Sequence, residues 1–149
     1  MSCVSSLRNL TIFLAPTLLL LASSAAQDHP DLSGSWKLNT AGSKIKDPKL
    51  SSECAKLTIA LKDESITLSE SDGHPIVCTT AGKECDAKGS KVSFWYNGPK
   101  LVQMEIKGHA GEHIRKRRLS LSPDGKTLEM EVIPISPAGE ASLLAFEKE

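Results

Sequence analysis

From residue 33 onward, apolar and polar residues alternate with a period of two in nine successive runs: "SGSWKLN", "AKLTIAL", "SITLSES", "HPIVCTT", "KVSFWY", "KLVQMEI", "HIRKRRLSLS", "TLEMEVIPI" and "ASLLAFEK". That period sends neighbouring side chains to opposite faces, so each run reads as a half-buried strand. The segments between them include "KDE", "DG", "AGKECDAKGS", "NGP", "KGHAGE", "SPDGK" and "SPAGE". Their Gly, Asn, Asp and Pro residues take a positive φ or fix φ, which is the chemistry of hairpin connections. A sustained helical period is absent. The one long connection, residues 40–53, has room for a short helical turn at most.

Parity assigns the faces. Leu57, Ile59 and Leu61 share one, as do Ile66 with Leu68 and Ile76 with Cys78. Val92, Phe94 and Tyr96 form the next inward set, leaving Trp95 outside, followed by Val102, Met104 and Ile106. Leu119 with Leu121, and Leu128, Met130 and Val132, complete it. One apolar and one solvated face on nearly every strand is what consecutive antiparallel strands around a single core produce. The fold predicted is all-β: an antiparallel up-and-down barrel of about eight or nine strands, closed so that no edge is exposed, with a sandwich as the alternative. In such a barrel Gly34 lets the backbone bend where the first strand enters, and Trp36 plugs the closed end.

Residues 1–26 carry Arg8, then the apolar run "TIFLAPTLLLLA", then the small residues "SSAA". This is the order of a secretory signal peptide, and the apolar run is shorter than the roughly 20 residues a spanning helix needs. Cleavage is expected near Ala26, leaving residues 27–149 as one secreted or periplasmic domain without a membrane span. Losing Arg8 leaves one fewer basic residue than the 18 acidic ones, a balance unlike that of a nucleic-acid binder. Three cysteines remain in that domain: Cys54, Cys78 and Cys85. A two-residue turn at Ala81-Gly82 would place Cys78 opposite Cys85, giving one disulfide with Cys54 free; three unpaired thiols is the alternative.

The stretch "DLSGSWKLN" at the first strand, followed by a long loop and then by hairpins, resembles the Gly-x-Trp signature of the lipocalin-like (calycin) barrels. Together with "TTAGKE", "LSPDGKTLEME" and "AFEKE", it is similar to a group of small exported bacterial lipocalin-like proteins. The resemblance implies a cup-shaped barrel holding a small apolar molecule, with residues 40–53 as a candidate lid. The lipocalin pattern also sets an arginine from a late strand over the tryptophan. Here the chain ends "FEKE", so Lys148 stands at that place as a loose substitute.

The basic run "HIRKRRL" is the most unusual local feature. Parity puts His113, Arg115 and Arg117 on the face of Leu119 and Leu121, where two guanidinium forks are able to grip a carboxylate or phosphate head group. The alternative is a strand that overshoots the rim, with its charges solvated or paired to Glu129 and Glu131. His109 and His113 sit in and after a turn, so their spacing of four does not make a metal site. No serine occupies a "GxSxG" elbow, and turns account for Asp72 and Asp124, so no catalytic constellation is present. The reading is a non-catalytic barrel without cofactor or metal that binds a small hydrophobic or amphiphilic molecule. Phe94, Tyr96, Met104 and Met130 are its apolar contacts, and Arg115 and Arg117 its head-group contacts. The rival is a filled barrel acting as an extracytoplasmic interaction or envelope module. Cavity volume discriminates between them.

Overall fold

The computed structural model describes residues 29–149; the leader-like segment and its expected cleavage site lie outside the described residues. Each of the nine alternating runs forms a strand. In chain order these are β1 (Gly34–Lys44), β2 (Lys56–Lys62), β3 (Ser65–Ser69), β4 (Pro75–Thr79), β6 (Ser90–Asn97), β7 (Lys100–Lys107), β8 (His113–Leu121), β9 (Thr127–Ser136) and β10 (Ser142–Lys148). A tenth, β5 (Cys85–Ala87), lies inside the segment that sequence assigned to a loop. Its three residues are too short to show a period. One five-residue helix, α1 (Lys49–Glu53), occupies the long connection.

All strands belong to one antiparallel sheet in the order β4-β3-β2-β1-β10-β9-β8-β7-β6-β5. Chain neighbours are sheet neighbours except β4 and β5, and β1 closes onto β10, with Trp36 opposite Lys148. The result is an up-and-down, near-closed barrel of the lipocalin-like class predicted, with ten strands rather than eight or nine. The seam lies between β4 and the β5–β6 hairpin. There the chain crosses by a single bridge, Ala81 to Trp95, and by a 2.8 Å hydrogen bond from the Gly82 N–H to the Phe94 carbonyl. The expected Cys78–Cys85 disulfide is present, with Cα atoms 5.7 Å apart, and Cys54 is free and buried. The hairpin ladder that suggested the pairing does not form: β4 and β5 are the two edges of the sheet, and the bond clasps the seam.

A seam held by so few backbone bonds depends on that clasp. Cutting a disulfide that closes a loop of this length removes about 2–3 kcal/mol in the chain-entropy description. Cys78→Ser/Cys85→Ser is therefore expected to lower the urea midpoint accordingly. Amide hydrogen exchange should accelerate first in β4 and β5, and a uniform acceleration would contradict the seam.

Trp36 is fully buried at the end where β1 begins. Its indole N–H donates to the Leu32 carbonyl at 3.0 Å, and Lys148 Nζ sits 5.5 Å from the ring centroid. Gly34 has φ +145°, and a Cβ there would lie 3.1 Å from Lys148 Cε. The glycine thus makes room for the cation that covers the tryptophan, the role that the lipocalin pattern gives to an arginine. Above this plug the interior is packed. Leu57, Leu68, Phe94, Leu101, Leu119, Leu128, Met130, Leu144 and Phe146 are almost wholly shielded from solvent.

Parity holds on β2, β3, β6, β8 and β9 and fails on β7. Leu101 pairs with Leu119, Gln103 with Arg117 and Glu105 with Arg115, so the inward face of β7 is Leu101, Gln103 and Glu105. Val102 and Met104 lie on the outer face, opposite Arg118 and Lys116, and Ile106 pairs with Ile114 at the rim. Met104 is therefore no contact inside the barrel. The strand is apolar on both sides near its start, and polar residues face inward because they meet arginines there.

Candidate functional site at the helix end of the barrel

The end opposite Trp36 is where β8 enters with its basic run. Arg115 and Arg117 point inward, as parity predicts, and neither is solvated beyond the rim. Arg115 donates from Nε and Nη2 to Glu105 Oε2, at 3.1 and 2.7 Å, and its Nη1 stands 3.5 Å from Glu53 Oε2. Arg117, 2% exposed, places Nη1 2.5 Å from Glu70 Oε1. The partner expected on β9, Glu131, pairs on the outside with Arg118 at 2.8 Å. Two guanidiniums and three carboxylates thus converge from α1, β7, β8 and the residue that follows β3 onto one layer across the barrel.

Helix α1 is fastened over this layer. Asp47 accepts the Lys49 N–H at 3.1 Å, and Pro48 with φ −58° enters the turn, while Leu50 is buried in the core. Glu53 accepts the Ser71 N–H through its carbonyl at 3.2 Å, and Ser142 Oγ accepts the Lys46 N–H at 2.8 Å. The candidate lid is therefore tied to the barrel at both sides.

Above the charged layer lies an open bowl made of two adjoining hollows of about 380 and 510 Å³. Both are lined by Glu53, Glu105, Lys107 and Arg115. The first also has an apolar wall from Ile114, Pro134 and Pro137, with His113 at its edge. The second is polar, bounded by Glu70, Asp72, Lys88 and Ser90, with Lys88 paired to Asp72. A surface of this kind is able to hold a molecule with one apolar side and one hydrogen-bonding end.

Electrostatics reflects the pairing. Burial alone pushes the Glu105 carboxyl up, but the Arg115 guanidinium and its hydrogen bonds outweigh that and hold it below the usual range. A carboxylate whose folded value is depressed adds stability above its unfolded value and loses it as pH falls through the folded one. Stability should therefore drop on acidification below about pH 4.5, near the ordinary glutamate value. Glu105→Gln, followed by chemical denaturation between pH 3 and 7, is expected to flatten part of that drop; an unchanged profile would count against the pair. The Cys54 thiol, pushed up to about 11 chiefly by burial, stays protonated and is no nucleophile.

Of the six contact residues expected from sequence, only Arg115 and Arg117 meet at this site. Phe94 and Met130 face inward but are enclosed in the packed core below it. Tyr96 is at the far end, its ring stacked on His29 with centroids 3.7 Å apart, and Met104 is outside. Trp95 is half-buried where the chain bridges from Ala81. Glu53, Glu70, Gln103 and Glu105 were missed. The two-residue turn of "NGP" held the signal for two of them, because pairing Tyr96 with Leu101 carries Gln103 and Glu105 inward with Phe94. Among the described residues, no group of His, Cys, Asp and Glu is placed to hold a metal ion.

No family model and no curated protein sequence matches the chain. Solved structures do match in shape. The wild-type fluorescent protein UnaG superposes with a TM-score of 0.58 at 18% identity, over 79% of this chain and 97% of that one. Lipid binding protein 8 of Caenorhabditis elegans, without ligand, gives 0.58 at 13% identity, over 78% and 94%. A single-site mutant of UnaG gives 0.55 at 16% identity, over 79% and 96%. At these identities the likeness shows the fold alone, an up-and-down β-barrel.

Proposed function

We propose that this chain is an exported lipocalin-like protein that binds a small amphiphilic molecule in the bowl at the α1 end, without transforming it. The observation that carries the reading is the bowl itself, where an apolar wall of Ile114, Pro134 and Pro137 faces convergent charged side chains at the open end of a barrel plugged at the other. The ligand's apolar body lies along that wall and its polar end points down toward Arg115 and Glu105. The C. elegans neighbour is named as a lipid-binding protein, which agrees with a binding role. Export is supported by the leader-like residues 1–26 and by a disulfide, which persists in oxidising compartments. Kinship with the small exported bacterial proteins rests on the four ordered sequence segments.

The packed interior places the ligand higher than a deep apolar cup would. It also favours the second reading, a filled barrel that works through its outer surface. Native mass spectrometry of residues 27–149, with titration of the neutral dye Nile red, separates the two. Binding that is weakened at least ten-fold by Ile114→Asp supports the bowl. A clean unliganded mass together with no dye uptake would leave the filled barrel standing.

A further inference from the structure

Of the two hollows in the bowl, the polar one is the larger, at about 510 Å³, and it opens to solvent. Its charges largely cancel. The Arg115 guanidinium is engaged by Glu105 and Glu53, Lys88 by Asp72, and Glu70 takes Arg117 through Oε1. Four carboxylates thus stand against three lining cations and the Arg117 behind them. Among the described residues, the groups left unengaged in this lining are Lys107 Nζ, Glu53 Oε1 and Glu70 Oε2. Lys107 is exposed and makes no ion pair, and with Glu53, Glu105 and Arg115 it forms the wall that the polar hollow shares with the apolar one.

Resting on the binding function proposed above, we infer that the polar hollow receives an uncharged head group with several hydroxyls, a sugar ring in class, whose apolar chain lies along Ile114, Pro134 and Pro137. The charges decide against an ion. A carboxylate or phosphate would enter beside Glu53, Glu70, Asp72 and Glu105, and every lining cation except Lys107 is already held by one of them. An ammonium would find Glu53 Oε1 or Glu70 Oε2, but it would add a charge beside Lys88, Lys107 and Arg115 and leave the Lys107 donor unmatched. A hydroxyl does neither. It donates to a carboxylate oxygen while accepting from an ammonium, as the water it displaces would, and the net charge is unchanged. The free atoms come from three separate segments, α1, β7 and the residue after β3, so a ring with hydroxyls at several corners is the simplest group that addresses them all. The shared wall sets that ring directly beside the chain in the apolar hollow.

The test is isothermal titration of the wild-type domain at neutral pH with hexyl β-D-glucoside, hexanoate, hexylammonium and the chainless methyl β-D-glucoside. Two or three added hydrogen bonds predict that the hexyl glucoside binds about ten-fold tighter than either charged probe of equal chain length. Methyl glucoside should bind about ten-fold more weakly than the hexyl form, since it leaves the apolar wall uncovered. Lys107→Met, an exposed change expected to keep the thermal midpoint, should weaken the hexyl glucoside about five-fold by removing the free donor. A charged probe that binds as tightly as the hexyl glucoside overturns the inference, and so does an unchanged affinity in Lys107→Met. Equal binding of methyl and hexyl glucosides overturns it too, because the ligand would then be a free sugar. If none of the four binds while Nile red does, the inference falls and the bowl reading stands; if Nile red also fails, both fall.

Discussion

Replacing Trp36 by alanine is expected to destabilise the domain by about 3–5 kcal/mol, the range for deleting a large aromatic from a core that cannot collapse onto the hole. The site cannot collapse because three elements frame it independently. Leu57 and Lys148 flank it on either side through backbone pairing, and the Leu32 carbonyl, which accepts the indole N–H, loses its partner as well. Urea denaturation followed by far-ultraviolet circular dichroism measures the effect. Lys148→Ala should cost far less, about 0.5–1 kcal/mol, because a cation over an aromatic face adds little beside the burial of the ring. Comparable losses from the two variants would show that the cover, not the plug, holds that end. Gly34→Ala tests the same geometry from the backbone, since a side chain at φ +145° is strained and its Cβ would press on Lys148.

The plug was legible because Gly-x-Trp is a local pattern whose physical need, space beside a large ring, lies within three residues. The barrel was legible for a related reason: a period of two repeated nine times constrains every strand to one buried face, and short connections leave meander order as the simplest arrangement. Lys148 over Trp36 could be named but not demonstrated, since 112 positions of sequence separate the ring from the cation and only closure of β1 on β10 joins them.

The site was legible by half. Arg115 and Arg117 were placed inward by parity with Leu119 and Leu121, and the structure agrees. Their partners were not found, because the rule that places apolar residues inside inverts wherever a buried charge needs a counter-charge. On β7 that inversion sent Met104 outward and Glu105 inward. Glu53 and Glu70 come from α1 and the residue that follows β3, segments with no sequence link to β8. The disulfide shows the reverse case: the pair was right although the hairpin behind it does not exist, since a covalent clasp across two sheet edges needs only close Cα atoms.

The buried Arg117–Glu70 pair gives the second large effect. Arg117→Leu is expected to cost about 3–5 kcal/mol, because it strands a carboxylate that is mostly withdrawn from water. Glu70 retains 17% of its side-chain exposure, which places the loss toward the lower end of that range. Glu70→Leu/Arg117→Leu should return to within about 1 kcal/mol of wild type, since removing both charges also removes both desolvation costs and fills the layer with apolar volume. The coupling between the two positions is read from a double-mutant cycle in urea. An additive cycle would mean that water already screens the pair, and the layer below the bowl would then be an open extension of it. A strongly coupled cycle means that the pair is shielded from water and that each buried charge depends on the other.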